Sequence, residues 1–210
     1  MTERKVAVDQ LKCGSYQNFV YLVYDQETLD ALIIDPAWDV QRFLQILKEK
    51  KLVLDYIINT HAHFDHIEGN QKLSKETGAK IIMNEHSMAR KDKTAADGEV
   101  LHVSENLGIR FIHTPGHSPE SMCIIVNDLG IFTGDTLFVG ECGRTDLPGG
   151  NSEDLYSSFE KLRRLNPNLK VFPGHDYGPK QVSTLDEQFA TNYTLAKMTK
   201  QEFVKFMREP

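Results

Sequence analysis

Residues 60–69, "THAHFDHIEG", hold three histidines and an aspartate between positions 61 and 66, in a chain with eight histidines in all. The stretch follows "LDYIINT", a run typical of a buried strand, and ligands are commonly presented where the strands of an α/β sheet end. A tight turn after such a strand can direct His61, His63, Asp65 and His66 into one small volume. Imidazole and carboxylate groups at these spacings suit zinc, iron or manganese.

Three later segments carry the same kind of signal. His117 in "TPGHS", Asp135 in "FTGDT" and His175 in "FPGHD" each follow an apolar run and lie beside a glycine that lets the backbone turn. Five histidines and two aspartates are enough for two ions, with Asp135 as the natural bridging carboxylate. The remaining histidines lack this context and are predicted to lie outside the site: His86, His102 and His113.

The pattern of apolar residues predicts an α/β fold. Residues 5–11, 18–25 and 30–36 have the composition of strands. They predict that the fold begins with antiparallel β-strands. An amphipathic helix is expected after Pro36, with Asp39 as a candidate cap, and strands and helices alternate from there. The tail, Ser183 to Met207, is predicted to be helical. Since no linker, repeat or low-complexity segment interrupts the pattern, residues 1–210 are expected to form one domain.

Composition excludes several classes of protein. With 40% apolar and 26% charged residues and no run of ~20 apolar residues, the chain is predicted to be globular and not membrane-spanning. A formal net charge of −6 disfavours nucleic acid as a partner. The N-terminus lacks the apolar core of a secretory signal, and three cysteines without a C-x-x-C pair indicate neither a disulfide framework nor a cysteine zinc site. We therefore expect a cytoplasmic protein.

The motifs T-H-A-H-F-D-H, T-P-G-H, T-G-D and P-G-H-D together resemble the metallo-β-lactamase superfamily, from about Val6 to the end of the chain. This resemblance implies a four-layer αββα sandwich with the site at one edge between two sheets. It also implies a role for each matching residue: His61, His63 and His117 hold a first metal, Asp65, His66 and His175 hold a second, and Asp135 bridges them. Asp35 in "LIIDP" matches an aspartate that braces the metal loop without binding the metal.

Two branches of the superfamily fit the ligand set. An aspartate at position 65, with no cysteine among the ligands, resembles the glyoxalase II-like and persulfide-dioxygenase-like branches. The loop "ECGRTDLPGG" is similar to both, and its Cys142-Gly143-Arg144 version, with the later "GHDYG", favours the dioxygenases. Arg144 matches a position that contacts the carboxylate of glutathione, although it could equally brace the loop through Asp146. Both branches imply a small, thiol-derived, glutathione-like substrate.

The main expectation is a metal-dependent hydrolase of thioesters such as S-acylglutathione. Two divalent metals, zinc with iron or manganese as alternatives, would lower the pKa of a shared water from 15.7 towards about 7, and Asp65 would orient that water and carry protons. The alternative is a glutathione-persulfide dioxygenase with one Fe(II) on His61, His117 and Asp135. A third hypothesis, a non-catalytic metal-binding protein, requires a degraded ligand set, whereas this set is complete. The apolar face of the last helix suits either a homodimer or burial within the same chain.

Overall fold

The fold consists of two six-stranded β-sheets with helices on their outer faces, in a computed structural model that describes residues 5–208. The first sheet contains, in spatial order, β1 (Val6–Cys13), β2 (Asn18–Asp25), β3 (Asp30–Ile34), β4 (Val53–Ile58), β5 (Lys80–Asn84) and β6 (Lys93–Ala95). The second contains β7 (Val100–His102), β8 (Gly108–His113), β9 (Met122–Val126), β10 (Gly130–Gly134), β11 (Lys170–Pro173) and β12 (Ser183–Thr184). The helices are α1 (Val40–Lys50), α2 (Phe64–Ile67), α3 (Asn70–Thr77), α4 (Ser152–Leu162), α5 (Leu185–Thr191) and α6 (Lys200–Phe206).

Alternation along the strands creates the four layers. In β2, Phe19, Tyr21 and Val23 point into the core between the two sheets, while Val20 and Leu22 point to the outer face that α1 and α3 cover. A third apolar cluster joins the outer face of the second sheet to α4, α5 and α6. Because successive side chains of a strand face opposite sides, a strand buried on both faces has a continuous apolar sequence. The predicted αββα sandwich is confirmed.

The strand directions bring distant segments to one edge. As predicted, β1, β2 and β3 pair antiparallel, whereas β3, β4, β5 and β6 run parallel to one another. In the second sheet β10 and β11 are also parallel. Parallel neighbours end at the same side of a sheet, so the segments that follow β3, β4, β10 and β11 meet there.

The first helix has the predicted apolar face and begins after the predicted cap residue, but that residue makes no side-chain cap. Val40, Phe43 and Leu47 are buried as expected. Asp39 occupies the N-cap position with a φ of 62°, in the left-handed region, and its side chain makes no capping hydrogen bond. Asp39 is therefore the N-cap residue, as predicted, but it bonds the first turn through its backbone carbonyl, which accepts from the N–H of Arg42. Residues whose side chain caps the first turn have extended backbone instead.

The prediction of a helical tail is wrong in part. After β12 the chain forms α5, a short 3-10 turn at Tyr193–Leu195 and then α6. Asn192 ends α5 with extended backbone and its side chain accepts from the Thr194 N–H, while Thr199 starts α6 with a capping box shared with Glu202. Asparagine and threonine side chains bond nearby backbone and thereby interrupt a helix.

The last helix packs within its own chain. Phe203 of α6 is buried and its ring lies 5.6 Å from that of Phe159 in α4. Phe203 is thus covered by the protein's own chain, and the homodimer stays a prediction. Across residues 5–208, no helix combines the length and apolar character needed to cross a membrane.

Candidate metal centre

The predicted ligand residues meet at the common edge of the two sheets. His61 lies just after β4, and Asp65 and His66 lie in α2, whose first turn directs both side chains inward. His117 comes from the loop between β8 and β9, Asp135 directly follows β10, and His175 follows β11 by two residues. These six side chains are buried. The seventh candidate ligand, His63, lies at the start of α2 and is half-buried.

Three histidines form the first cluster. The Nδ1 atom of His63 lies 3.0 Å from Nε2 of His61 and 2.9 Å from Nε2 of His117. The three rings meet edge to face rather than stacking. Their nitrogen atoms are close enough together to hold one ion.

The second cluster consists of Asp65, His66 and His175. The Nε2 atoms of His66 and His175 are 3.1 Å apart, and Oδ2 of Asp65 lies 3.6 Å from the first and 3.5 Å from the second. These three groups also converge closely enough to hold an ion.

Asp135 lies between the two clusters. Its Oδ2 atom is 3.5 Å from Nε2 of His117 and 3.4 Å from Nε2 of His175, and its Oδ1 atom is 3.4 Å from Nε2 of His66. Oδ1 is buried without a hydrogen-bond partner. A buried carboxylate oxygen in that state lacks the compensation that normally accompanies burial of charge. The position matches the bridging role that the resemblance implies.

Hydrogen bonds at the outer side of the rings fix the tautomers of His117, His175 and His61. Nδ1 of His117 lies 2.8 Å from the carbonyl of Arg144, and Nδ1 of His175 lies 2.8 Å from that of Tyr16. A carbonyl only accepts, so both Nδ1 atoms carry hydrogen and both Nε2 atoms face inward with a lone pair. The Thr60 hydroxyl donates to Asp35 and therefore accepts from Nδ1 of His61, with the same result.

Asp35 accepts hydrogen bonds from the loop that carries His61 and from His66. Its Oδ1 accepts from the Thr60 N–H at 2.8 Å, and its Oδ2 accepts from the Thr60 hydroxyl at 2.6 Å and from Nδ1 of His66 at 3.0 Å. Although Asp35, His61 and His66 are close enough to form a third three-residue group, both Asp35 oxygens are already occupied by these donors. The carboxylate thus orients the loop at Thr60 and the ring of His66.

The charges of the centre favour a cation. Burial lowers the pKa of His61 well below its usual value and keeps the ring neutral. Burial also opposes a charge on His66, but the carboxylates of Asp135 and Asp35 outweigh it and raise the pKa of His66 to about 9. Burial acts to raise the pKa of Asp135, yet the neighbouring His66 and His175 hold it well below its usual range. An ionised carboxylate surrounded by buried imidazoles attracts positive charge from a proton or a metal.

Metal ions fit this donor set. A single hydrogen on Nδ1 of His63 can satisfy only one of its two nitrogen neighbours, because Nε2 of His61 and of His117 both present lone pairs. An ion between them replaces that repulsion with coordination, and an ion in the second cluster also supplies a partner for Oδ1 of Asp135. Histidine with carboxylate is the donor chemistry of zinc, iron and manganese.

Two glycines allow the close approach of the loops. A Cβ atom at Gly134, whose φ is 48°, would lie 2.3 Å from the Thr60 hydroxyl. At Gly174 a Cβ would lie 2.4 Å from Oδ1 of Asp135. The sequence pattern predicted turning glycines; at Gly174, where φ is not positive, the requirement is space rather than a turn.

Two supporting residues were missed by sequence reasoning. The buried Asn18 donates from its amide to Oδ2 and to the carbonyl of Asp65, at 3.0 and 2.9 Å. Glu120 accepts from the N–H of Ala62 at 3.0 Å and so ties the histidine loop to the loop of His117. The one available signal for Asn18 is a polar residue at the head of the apolar run "NFVYLVYD".

Arg144 and the three remaining histidines lie outside the two clusters. Arg144 is 64% exposed and makes a bidentate pair with Asp146 at 2.5 Å, which is the bracing interpretation; contact with a substrate stays a prediction. The remaining histidines contribute to neither cluster: the rings of His86 and His113 lie against each other, 5.1 Å apart, and His102 is exposed on β7.

Comparison with known proteins agrees with this geometry. Residues 14–175 match the family described as the metallo-beta-lactamase superfamily, a span that includes all seven candidate ligands. The chain belongs to the metallo-β-lactamase superfamily. The αββα fold agrees with this membership.

Similar members of the superfamily come from two branches. The chain is 37% identical to the mitochondrial persulfide dioxygenase ETHE1 of Bos taurus over 193 residues, 90% of this chain and 75% of that protein. It is 36% identical to a hydroxyacylglutathione hydrolase of Polaromonas sp. over 170 residues, 78% of this chain and 64% of that protein. The crystal structure of ETHE1 from Myxococcus xanthus superposes with a TM-score of 0.90 at 32% identity, covering 97% of this chain and 90% of that one.

Proposed function

We propose that the protein is a persulfide dioxygenase that acts on a glutathione-like persulfide with one Fe(II) held by His61, His117 and Asp135. The observation that carries this proposal is the likeness to the ETHE1 persulfide dioxygenases, which spans 90% of the chain in sequence and 97% in structure. The persulfide dioxygenase, which the sequence analysis gave as the alternative, thus becomes the main proposal. Thioester hydrolysis, the main expectation, becomes the second candidate, since the similarity to a hydroxyacylglutathione hydrolase covers 78% of the chain.

The reaction oxidises the terminal sulfur of the persulfide and reduces O₂. One persulfide, one O₂ and one water give one thiol, one sulfite and two protons, which balances atoms, charge and electrons. Fe(II) supplies open positions for sulfur and O₂ when two histidines and one carboxylate hold it on a single face. The chain's own contribution is to hold those three groups in place before substrate arrives.

Two of the proposed iron ligands are positioned by hydrogen bonds at the outer side of their rings: Thr60 and, through it, Asp35 orient His61, and the Arg144 carbonyl orients His117. The absence of a side chain at Gly174 leaves the space that the Asp135 carboxylate occupies. Such outer contacts commonly change metal affinity or activity by about 10–100-fold. Under this proposal His63, Asp65, His66 and His175 would not bind the iron and would instead supply polar groups beside it.

A two-metal thioester hydrolase is the second candidate, and one observation favours it. Asp65, His66 and His175 form a complete buried cluster beside the histidine cluster, with Asp135 placed to bridge them. Two metals would lower the pKa of a shared water to about 7, and Asp65 would orient that water and accept its proton.

Metal content and two assays separate these candidates. The protein is purified under anaerobic conditions and analysed for zinc, iron and manganese, then assayed for O₂ uptake with glutathione persulfide and for cleavage of S-lactoylglutathione. The proposal predicts about one iron per chain and persulfide-dependent O₂ uptake with sulfite formed in equal amount. Two metals per chain with thioester cleavage and no O₂ uptake would establish the hydrolase instead.

A further inference from the structure

One loop connects the candidate ligand Asp135 to the backbone that orients His117. We call residues 136–144, which follow Asp135 directly, the β10 loop. At the far end of this loop, the carbonyl of Arg144 accepts from Nδ1 of His117 at 2.8 Å. One residue earlier, a Cβ atom at Gly143 would lie 1.9 Å from the carbonyl oxygen of Asp135 and 3.0 Å from Nδ1 of His117. The β10 loop thus lies against both of these proposed iron ligands.

The middle of the β10 loop lies against another residue of the centre. The ring of Phe138 meets that of His175 edge to face, with centroids 5.7 Å apart. A Cβ atom at Gly178 would lie 2.0 Å from the carbonyl oxygen of Val139, so the segment after β11 approaches the β10 loop closely. The conformation of the loop therefore sets contacts to His175 as well as to the two proposed ligands.

The β10 loop depends on other segments for its conformation. Residues 136–144 form neither helix nor strand, so no ladder of backbone hydrogen bonds fixes them. Within the loop, the N–H of Phe138 donates to the carbonyl of Glu141 at 2.9 Å. The other backbone groups of a buried irregular segment have to be paired from outside it. The side chains that pair them therefore control the position of the loop.

Asn192, between α5 and the 3-10 turn, supplies two of these pairings. Its side chain is buried, and Nδ2 donates to the carbonyls of Glu141 and Phe138 at 3.1 and 3.4 Å. Its Oδ1 accepts from the N–H and the hydroxyl of Thr194, at 3.0 and 2.7 Å. Because a backbone N–H only donates, Oδ1 is the atom that faces Thr194 and the NH₂ group is the one that faces the loop.

Gln188 of α5 adds a further attachment. Its Oε1 accepts from the N–H of Gly140 at 2.8 Å and from Nδ2 of Asn192 at 3.1 Å. Its Nε2 donates to the hydroxyl of Ser183 in β12 at 2.8 Å, which fixes the orientation of this amide. Two buried amides from the C-terminal part of the chain therefore hold the backbone in the middle of the β10 loop.

Packing alone does not account for a buried amide at position 192. Asn192 is followed in the chain by Leu195, which belongs to the apolar cluster on the outer face of the second sheet. An apolar side chain would fill such a place at lower cost, since burial of an amide is unfavourable unless its groups are hydrogen-bonded. The NH₂ group of Asn192 donates to the β10 loop instead. Its contribution is therefore specific to the position of that loop.

We propose that Asn192 is a positioning residue of the metal centre. It fixes the β10 loop through the carbonyls of Phe138 and Glu141, and the loop in turn holds His117 and Asp135 in place for the ion. This inference rests on the ligand roles of His117 and Asp135 assigned under the proposed function. Outer contacts of metal ligands commonly change metal affinity by about 10–100-fold, and for a contact that acts through a loop we expect the lower end of that range.

Metal affinity is measured first, because it does not require turnover. Co(II) is the probe, since its visible absorption depends on the geometry of its ligands. It is titrated into the metal-free protein against a chelator of known affinity, under anaerobic conditions. Asn192→Ala should bind Co(II) about tenfold more weakly and with altered absorption bands. Wild-type affinity would overturn the positioning role, and so would unchanged bands, because His117 would then keep its place without the amide.

Asn192→Asp separates the two donors from the space that the side chain fills. Aspartate has nearly the same size and still accepts from Thr194, but a carboxylate oxygen replaces the NH₂ group that faces the loop. Co(II) affinity should fall at least as far as in Asn192→Ala, because this oxygen repels the carbonyls of Phe138 and Glu141. Wild-type affinity in Asn192→Asp would show that the donors do not position the loop and would overturn the proposal.

Phe203→Leu is the matched control for a general loss of stability. Phe203 is buried in the apolar cluster that contains Leu195, and its ring contacts lie in α4 and α6. The variant should lower the free energy of unfolding in urea while Co(II) affinity stays within about twofold of the wild-type value. A loss of Co(II) affinity equal to that of Asn192→Ala would assign the effect to stability alone and contradict the proposal.

His117→Ala distinguishes failure of this inference from failure of the proposed function. It should weaken Co(II) binding by more than Asn192→Ala does, because it removes a ligand rather than a support. Weak binding in His117→Ala beside wild-type binding in Asn192→Ala would refute the positioning role and leave the proposed function standing. Wild-type binding in His117→Ala would refute the ligand assignment and, with it, both proposals.

Discussion

Asn18 illustrates, at the scale of single residues, how the centre depends on side chains outside the ligand set. Its amide faces two oxygens of Asp65, so only the NH₂ group can lie on that side. The opposite atom, Oδ1, is buried without a hydrogen-bond partner. Both hydrogen bonds that the Asn18 amide donates therefore hold Asp65, with its carboxylate towards His66 and His175.

Replacing Asn18 with alanine should weaken metal binding. Without the amide, Asp65 loses two hydrogen bonds that orient it, and we expect zinc affinity to fall by about 10–100-fold. Zinc titration against a chelator of known affinity measures this in the metal-free protein. The control is Asn168→Ala, at an exposed position in the turn before β11, at the opposite end of that strand from His175. Unchanged zinc affinity in Asn18→Ala would show that Asp65 needs no such support.

Sequence reasoning found the candidate ligands but not their supports, for a physical reason. His61, His117, Asp135 and His175 are recognisable because each follows an apolar strand beside a turn or a glycine. Asn18 belongs to the head of an apolar run, and its partner Asp65 is 47 residues away. A contact over such a separation exists only in the folded chain.

Among the secondary structure elements, β2 of the first sheet is joined to the second sheet by Asp25, the last residue of β2. Its Oδ2 accepts from the hydroxyl of Ser104 at 2.5 Å and from the amide of Asn106 at 3.0 Å, both in the loop between β7 and β8. Its Oδ1 accepts from the N–H of Glu27 at 2.9 Å. Burial acts to raise the pKa of Asp25, but these donors lower it to about 2.

Asp25→Asn should destabilise the fold in a pH-dependent way. The folded pKa of about 2 lies below the ordinary 3.8, so the carboxylate's stabilisation is fully present above pH 3.8 and is lost as the pH falls through 2. We expect the variant to lose about 2 kcal/mol of unfolding free energy at pH 7 and less than that at pH 3. Urea unfolding at both values checks this, with exposed Asp128→Asn as control. A pH-independent difference would contradict the assigned cause.

Elements with strong apolar patterns were predictable, and weakly patterned ones were not. The strands β2 and β4 and the helix α1 bury apolar faces that their sequences display. The strand β6, Lys93–Ala95, has no apolar pattern that predicts a strand, because it is a short edge strand with two exposed residues. Pairing with β5 makes it a strand, and that pairing is not encoded locally.

At the scale of the whole molecule, the core between the sheets couples the two halves of the chain. The ring of Phe132 in β10 stacks on Phe172 at 4.7 Å and meets Tyr21 of the first sheet edge to face at 4.9 Å. The candidate metal ligands come from both halves as well. The sandwich and its centre should therefore form together.

Phe132→Ala tests this coupling and the prediction that residues 1–210 form one domain. A buried phenylalanine truncated to alanine costs about 3–5 kcal/mol, and the whole molecule should unfold at lower denaturant. Trp38 fluorescence, which reports on the first half, and far-UV circular dichroism, which reports on both, should give coincident transitions before and after the change. Separate transitions would divide the chain into two domains.

The fold as a whole was predictable because the motif positions and their strand-end context match a known family, over residues 14–175. The choice between one metal and two was not, since the same seven side chains serve either arrangement and all of them converge. Coordination number depends on how an ion and its ligands share space, which residue types alone do not specify.

The most direct test of the account is the iron content of Asp135→Ala after anaerobic loading, measured beside His86→Ala. If Asp135 completes a single centre built from both sheets, Asp135→Ala should retain less than about a tenth of the bound iron, and His86→Ala should retain all of it. Circular dichroism should show both variants folded. Full iron content in folded Asp135→Ala would contradict the assignment of Asp135 and, with it, the proposed centre.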